Sequence, residues 1–466
     1  MKLCIVYGKI WITIGEWRMV NGIRACIVSL GCPKNLVDSE LMLGKLKNAG
    51  YKISIDPEEA EIIVVNTCGF IESAKAEAIE TILDVAKYKE KSCQVLIVTG
   101  CLAQRYKEEI IKELPEVDFV LGTGNYKDIT CAIECVLNGK EECESRILCS
   151  LPTDISYLNE ERVVSTPKTH AYLKIAEGCD NKCAYCVIPY LRGSFISRRK
   201  EDVLEEARLL IEAEYREIIL VAQDTTRYGY DLYGKPKLAE LLTNICRIDG
   251  DFRIRILYCY PELITDELID VIAKEKKICK YIDMPVQHGS DRILKLMGRR
   301  SLSGEIREKI SKLREKIPEI YIRTSLIVGF PGESEKDFES LKSFVEEVRF
   351  DRLGIFEYSR EEGTKAAEMK EQVSEKIKKN RMNCIMKIQQ SITWEISGKR
   401  LGKEYDVVVE GISDDGIFFW GRTYAEAPEI DGTIYFTALR EIESGEVVKV
   451  KILNIDEYDL IGEQLI

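Results

Sequence analysis

The sequence predicts an α/β chain in three parts: an N-terminal parallel α/β sheet domain, a central partial (βα)6 barrel, and a C-terminal small β-barrel. Three observations predict this. Near-continuous apolar strands alternate with helices over residues 23–130, the pattern of a parallel sheet covered on both faces. The alternation resumes over residues 170–372 with six strand–helix repeats, too few to close an eight-stranded barrel. From about residue 397 the pattern changes to short strands separated by glycine turns.

In the first part, strands are predicted at residues 23–30, 61–67 and 94–100, each followed by a helical pattern. Each strand ends in one cysteine at the same relative place: Cys32, Cys68 and Cys101. Ligands of open α/β sheets bind at the carboxyl ends of strands, so these three cysteines can converge on a shared ligand. Residues 131–169 are irregular and carry Cys131, Cys135, Cys143 and Cys149, and they read as a linker. In the central part, strands are predicted at 171–176, 217–223, 253–259, 281–286, 321–328 and 353–358, with helices at 202–214 and 334–348 among those between them. Residues 373–396 read as one helix with Ile385, Ile388, Ile392 and Ile396 on one face. Strands of the last part are predicted at 405–410, 416–420, 432–437 and 447–455.

Composition narrows the function. The 466 residues carry 67 Lys and Arg against 79 Asp and Glu, a net charge of −12, which excludes nucleic-acid binding through bulk positive charge. There are 17 cysteines and only 2 histidines, so a site built from several histidines is excluded. No apolar run approaches a membrane span, and no cleavage site for secretion follows the first 22 residues. The expected compartment is the cytoplasm, where thiols stay reduced and cysteines serve metals, clusters or catalysis. Residues 1–18 read as an artefact of an upstream start, since Met19 precedes the first clear strand.

The motif that carries chemistry is Cys179-Asp-Asn-Lys-Cys183-Ala-Tyr-Cys186, placed after the first strand of the partial barrel. Three thiolates this close suit three irons of a 4Fe-4S cluster and leave the fourth iron open. No nearby Cys or His completes a tetrahedral zinc set. The spacing, the preceding strand and Tyr185 beside the last cysteine resemble the radical S-adenosylmethionine superfamily. That resemblance implies chelation of S-adenosylmethionine at the open iron and its cleavage to a 5′-deoxyadenosyl radical. The segment SLIVGFPGES, residues 325–334, reads as part of the cofactor wall. Gly329 and Gly332 would allow close approach there, with Tyr185 near the adenine. Arg192, Arg198, Arg199 and Lys200 follow the cluster loop and read mostly as solvated charges, with one available to pair a carboxylate.

A closer resemblance covers nearly the whole chain from about residue 23. SLGCPKNLVDSE (29–40), NTCGFIESA (66–74), GCLAQ (100–104), YSREEGT (358–364) and APEIDG (427–432) are similar to the methylthiotransferases, in the branch that modifies an aspartate of small-subunit ribosomal protein S-twelve. The resemblance implies three domains: a methylthiotransferase domain with an auxiliary cluster at 23–150, a radical domain and linker helix at 165–395, and a TRAM β-barrel at 397–466. It implies two 4Fe-4S clusters, one on Cys179, Cys183 and Cys186 and one on Cys32, Cys68 and Cys101. One S-adenosylmethionine would methylate sulfur on the auxiliary cluster, and a second would yield the radical that takes hydrogen from the aspartate β-carbon. No side-chain acid or base carries a motif. A reductant such as flavodoxin or ferredoxin is the expected electron source. The other eleven cysteines read as buried or reduced thiols.

The alternative is a methylthiotransferase for a tRNA adenosine. Residues 397–466 hold 7 Lys and Arg against 15 Asp and Glu, a net −8, and an acidic barrel repels RNA while attracting a basic ribosomal protein. Asp414, Asp415, Glu426 and Glu429 are the positions expected to face that substrate.

Overall fold

The computed structural model describes residues 5–6, 9–10, 22–138 and 145–465. The upstream-start expectation thus falls mostly outside the described residues, as do Cys4 and Cys143. The chain divides into two compact units. The first comprises Met1–Thr166, Ala176–Asn181 and Cys186–Arg198; the second comprises Pro167–Ile175, Lys182–Tyr185 and Arg199–Ile466.

The first unit is built on an eight-stranded sheet. Its centre is parallel, with Arg24–Ser29, Ile62–Thr67, Val95–Gly100, Phe119–Leu121 and Ile147–Leu148 side by side. Every residue of Ile62–Thr67 and Val95–Gly100 is buried, as the apolar runs predict for strands covered on both faces. Helices Pro33–Asn48, Glu72–Ala86 and Cys101–Glu113 follow the three predicted strands. The linker reading of 131–169 needs correction at its start. Ile129–Leu137 is a helix, and Ile147–Leu148 adds a strand to the sheet. The segment beyond is also anchored: buried Glu40 accepts hydrogen bonds from the Ser165 amide at 2.7 Å and its hydroxyl at 2.8 Å.

In the second unit all six predicted barrel strands are present, as two parallel sheets of three. One holds Ala171–Lys174, Glu217–Val221 and Arg253–Ile256; the other holds Tyr281–Asp283, Tyr321–Val328 and Arg352–Glu357. The helix Glu375–Gly398 follows. Its buried face is partly polar: Lys378, Arg381 and Gln389 join Ile385 and Ile392, whereas Ile388 and Ile396 are only half-buried.

The chain ends in a closed five-stranded barrel: Glu404–Ile412, Phe419–Arg422, Ile434–Thr437, Asp459–Gln464 and Val447–Asp456 in spatial order. Four of these strands are predicted; Asp459–Gln464 is not. The barrel is fastened to the starts of the partial-barrel strands by buried charges. Glu217 meets Arg253, Arg255 and Arg422. Glu426 meets Arg352 and Arg400. The Tyr281 hydroxyl donates to Asp431 at 2.7 Å. Among the described residues, no helix is long and apolar enough to cross a membrane. Of the eleven other cysteines, Cys26, Cys93, Cys259 and Cys279 are buried and Cys131 is exposed. Cys135 is disulfide-bonded, against the expectation of a reduced thiol.

Candidate functional site

Parallel pairing aligns the ends of the first three strands. Ser29 lies opposite Asn66, and Thr67 opposite Gly100, so the loops that begin there start side by side. Close approach of the loops then depends on glycine. At Gly31, with φ of +89°, a Cβ would lie 2.7 Å from Cys68 Cβ and 3.1 Å from its Sγ. At Gly69 a Cβ would lie 3.0 Å from the carbonyl carbon of Cys101. Any side chain would therefore push the three cysteines apart. Asn35 pins two of the loops, donating to the carbonyls of Leu30 and Thr67 at 3.0 Å each.

The thiols sense one another. Burial, then the neighbouring Cys101 and Cys32, push the Cys68 thiol up to about 12. Burial also raises Cys101, against the pull of the Arg192 guanidinium. Cys32 goes the other way: burial opposes its thiolate, yet Lys34, Arg192 and the backbone N–H groups of Asn35 and Lys34 bring it below the ordinary thiol value. It occupies the N-cap of the Pro33–Asn48 helix, where a thiolate is favoured. Among the described residues no three His, Cys, Asp or Glu side chains are placed to hold one metal ion. The sulfurs of an iron–sulfur site bind separate irons, so such a site needs wider ligand spacing than a single ion does.

The predicted radical cysteines fall in both units. In the first, the loop carrying Cys179 and Cys186 is bracketed by the strand pair Ala176–Glu177 and Ile196–Ser197. The amide of Asn181 donates to Cys179 Sγ and that of Ile188 to Cys186 Sγ, each at 3.4 Å. Such N–H groups stabilise thiolate ligands. The short helix Ile188–Arg192 then turns back so that Val187 and Leu191 pack against Cys101, with Phe70 beside them. The first unit thus brings Cys101 of one predicted set next to the residue that follows Cys186 of the other.

In the second unit, Arg299 donates to Cys183 Sγ at 3.8 Å, lies 4.3 Å from the Tyr260 ring centre, and donates to the Pro285 carbonyl at 3.0 Å. Tyr185 packs on a cluster containing Phe330, Tyr358 and Met297. The turn Gly329-Phe330-Pro331-Gly332 links Tyr321–Val328 to the Glu335–Val348 helix, which Ser334 caps. Gly329 and Gly332 have φ of +72° and +81°. The space beside Gly329 is taken by the Lys378 side chain, 2.3 Å from where a Cβ would stand.

Two expectations are corrected. Arg192 and Arg198 are not solvated, being 2% and 3% exposed. Arg198 holds the Asn159 side chain at 3.0 Å, and Arg192 is paired with Asp38 and Glu177. Glu426 cannot face a substrate, because it is 1% exposed and paired with arginines; Asp414, Asp415 and Glu429 are exposed. No motif marks Arg299, which stands in an ordinary basic run, Gly298-Arg299-Arg300.

Three family models match the chain: Uncharacterized protein family UPF0004 over residues 24–122, the Radical SAM superfamily over 173–345, and the TRAM domain over 401–465. The chain is 56% identical to ribosomal protein uS12 methylthiotransferase RimO of Acetivibrio thermocellus, covering 94% of this chain and 97% of the relative. It is 51% identical to the protein of the same name from Geobacter sulfurreducens, covering 94% and 98%. A solved structure of the radical S-adenosylmethionine methyltransferase TsrM from Kitasatospora setae, with cobalamin and a 4Fe-4S cluster bound, matches in fold alone. Its TM-score is 0.56 at 12% identity, over 72% of this chain and 75% of that one. An iron–sulfur cluster and S-adenosylmethionine accompany the radical domain. The chain belongs to the ribosomal protein uS12 methylthiotransferase family and is a radical S-adenosylmethionine methylthiotransferase.

Proposed function

We infer that this chain methylthiolates the β-carbon of an aspartate in ribosomal protein uS12, using two molecules of S-adenosylmethionine and two 4Fe-4S clusters. The observation that supports this reading is the packing of Cys101, one cysteine of the first set, on Val187 and Leu191, which follow Cys186 of the second. Cys179, Cys183 and Cys186 would hold the radical cluster, and Cys32, Cys68 and Cys101 the auxiliary one. When bound, the first supplies the electron that cleaves S-adenosylmethionine and the second carries the sulfur to be methylated and inserted.

The remaining residues position and exclude. The Asn181 and Ile188 amides hold two sulfurs of the radical loop. Gly31 and Gly69 let the auxiliary cysteines meet. Tyr185, Gly329 and Gly332 form the cofactor wall, with the glycines acting through the turn they permit. Residues 23–150 carry the auxiliary site, 165–395 the radical site, and 397–466 the barrel that meets substrate. The setting is the cytoplasm, with flavodoxin or ferredoxin as reductant and uS12 free or on its ribosomal subunit.

The test is to replace Cys32, Cys68 and Cys101 together with alanine in anaerobically reconstituted protein. S-adenosylmethionine cleavage should persist, about half the iron should be lost, and mass spectrometry of uS12 should show no methylthio group. Methylthiolated uS12 from this variant would make the three cysteines structural. A methylthio group on tRNA and none on uS12 from the intact enzyme would select the alternative substrate.

A smaller effect concerns association. Asp414→Lys with Asp415→Lys should slow capture of uS12, most clearly at low salt, because such fields are screened over about 8–10 Å. Stopped-flow association rates that ignore both the charges and the salt would place recognition elsewhere.

A further inference from the structure

We propose that Arg192 is a positioning residue of the auxiliary site, holding the Cys101 sulfur and setting the reduction potential of the cluster bound there. The proposal rests on the two-cluster reading above and adds a residue that no motif marked. Arg192 is 2% exposed, and its guanidinium is committed on every edge. Nε donates to Cys101 Sγ at 3.4 Å. Nη1 donates to Asp38 at 2.7 Å and to Glu177 at 3.2 Å. Nη2 donates to the Asn35 side-chain carbonyl.

These partners come from three separate stretches of the first unit. Asn35 and Asp38 lie on the helix that Cys32 caps, Cys101 opens the helix after the third strand, and Glu177 precedes the Cys179 loop. Arg192 itself ends the short helix that follows Cys186. That helix is clamped, since the Thr123 hydroxyl donates to the Leu191 carbonyl at 2.5 Å and Leu191 packs on Cys101. The guanidinium therefore has one available position.

Only arginine suits this place. Its rigid fork serves a sulfur, two carboxylates and an amide at once, which a lysine ammonium cannot do from one point. A donor to a ligand sulfur favours the more negative, reduced state of a cluster, so removing it lowers the potential. The same guanidinium is tied to the segment leaving Cys186, so the two sites share one buried cation.

The experiment uses the full chain with Cys179, Cys183 and Cys186 replaced by alanine, so that only the auxiliary cluster can contribute. Iron content and an EPR-monitored redox titration are compared for Arg192, Arg192→Lys and Arg192→Met. With Arg192 intact, about four irons are expected. Arg192→Met should shift the reduction equilibrium about tenfold toward the oxidised form, about 59 mV for one electron. Arg192→Lys should recover part of that shift. Iron retained with an unchanged potential in both variants overturns the proposal. So does loss of iron from both with a changed circular dichroism spectrum, which would make Arg192 a structural brace alone. Absence of iron when Arg192 is intact would instead overturn the two-cluster reading.

Discussion

Replacing Cys179, Cys183 and Cys186 together with alanine is expected to abolish reductive cleavage of S-adenosylmethionine and to leave about four of about eight irons. Cys183 and Cys186 are only half-buried, so their sulfurs contribute little to either core. Cys179 is buried, but its sulfur accepts one amide hydrogen bond at 3.4 Å, as does that of Cys186, and the bracketing strand pair Ala176–Glu177 with Ile196–Ser197 needs neither sulfur. Alanine at each position adds no polar group, and the buried Arg299, which loses the Cys183 sulfur, keeps its bond to the Pro285 carbonyl, so the variant should fold. The loss then reports chemistry rather than collapse. The readout is 5′-deoxyadenosine formed after addition of dithionite. Its continued formation would remove these cysteines from the radical site. Comparison with the Cys32, Cys68 and Cys101 variant separates the two sites, since that protein should still cleave S-adenosylmethionine but leave uS12 unmodified.

Much of the fold was legible because apolar runs and glycine turns are local signals. The strand Tyr321–Val328 matches its predicted bounds, and all six strands of the partial barrel were visible as apolar runs. The strand-end cysteines were legible for a related reason, as parallel pairing places equivalent positions side by side. What was not legible depends on partners far apart in the chain. Arg192 bonds Asp38 across 154 positions and Arg422 meets Glu217 across 205, and no local pattern links an arginine to a carboxylate so far away in the chain. Asp459–Gln464 escaped because three of its six residues are polar or charged and one is glycine. Ile147–Leu148 escaped because two residues carry no period. The acidic character of the barrel was read correctly as a sum and only in part as a surface: Asp414, Asp415 and Glu429 are exposed, Glu426 is not. Glu410, Glu426 and Asp431 spend their charge inward, on Arg422, on Arg400 and on Tyr281.

That inward use of charge leads to the second large expected effect: Glu217→Ala should loosen the C-terminal barrel and destabilise the second unit by about 3–5 kcal/mol. Glu217 opens the strand Glu217–Val221 and is fully buried. Its carboxylate takes Arg255 Nε at 2.6 Å, Arg253, and Arg422 Nη1 at 3.3 Å from the barrel strand Phe419–Arg422. Arg255 continues into the barrel through the Tyr424 carbonyl at 2.8 Å. Burial alone would raise the Glu217 carboxyl, but three guanidinium groups hold it well below the ordinary carboxylate range. A carboxylate so lowered contributes stability above its unfolded pKa of about 4.3, and this is lost only as pH falls toward its folded value, so the network is intact at neutral pH. Removing the carboxylate leaves Arg255 and Arg422 buried with less compensation, which costs far more than an exposed pair would, against a total stability of about 5–15 kcal/mol for a typical domain. Glu217→Gln keeps the shape and loses the charge, and should fall between. Because two units need not unfold together, the measurement is hydrogen exchange of residues 404–465 alongside thermal unfolding. Faster exchange across the barrel strands in Glu217→Ala, with the sheet at 24–122 unchanged, is the expected result. Exchange and melting that match the parent protein would mean that apolar packing alone seats the barrel.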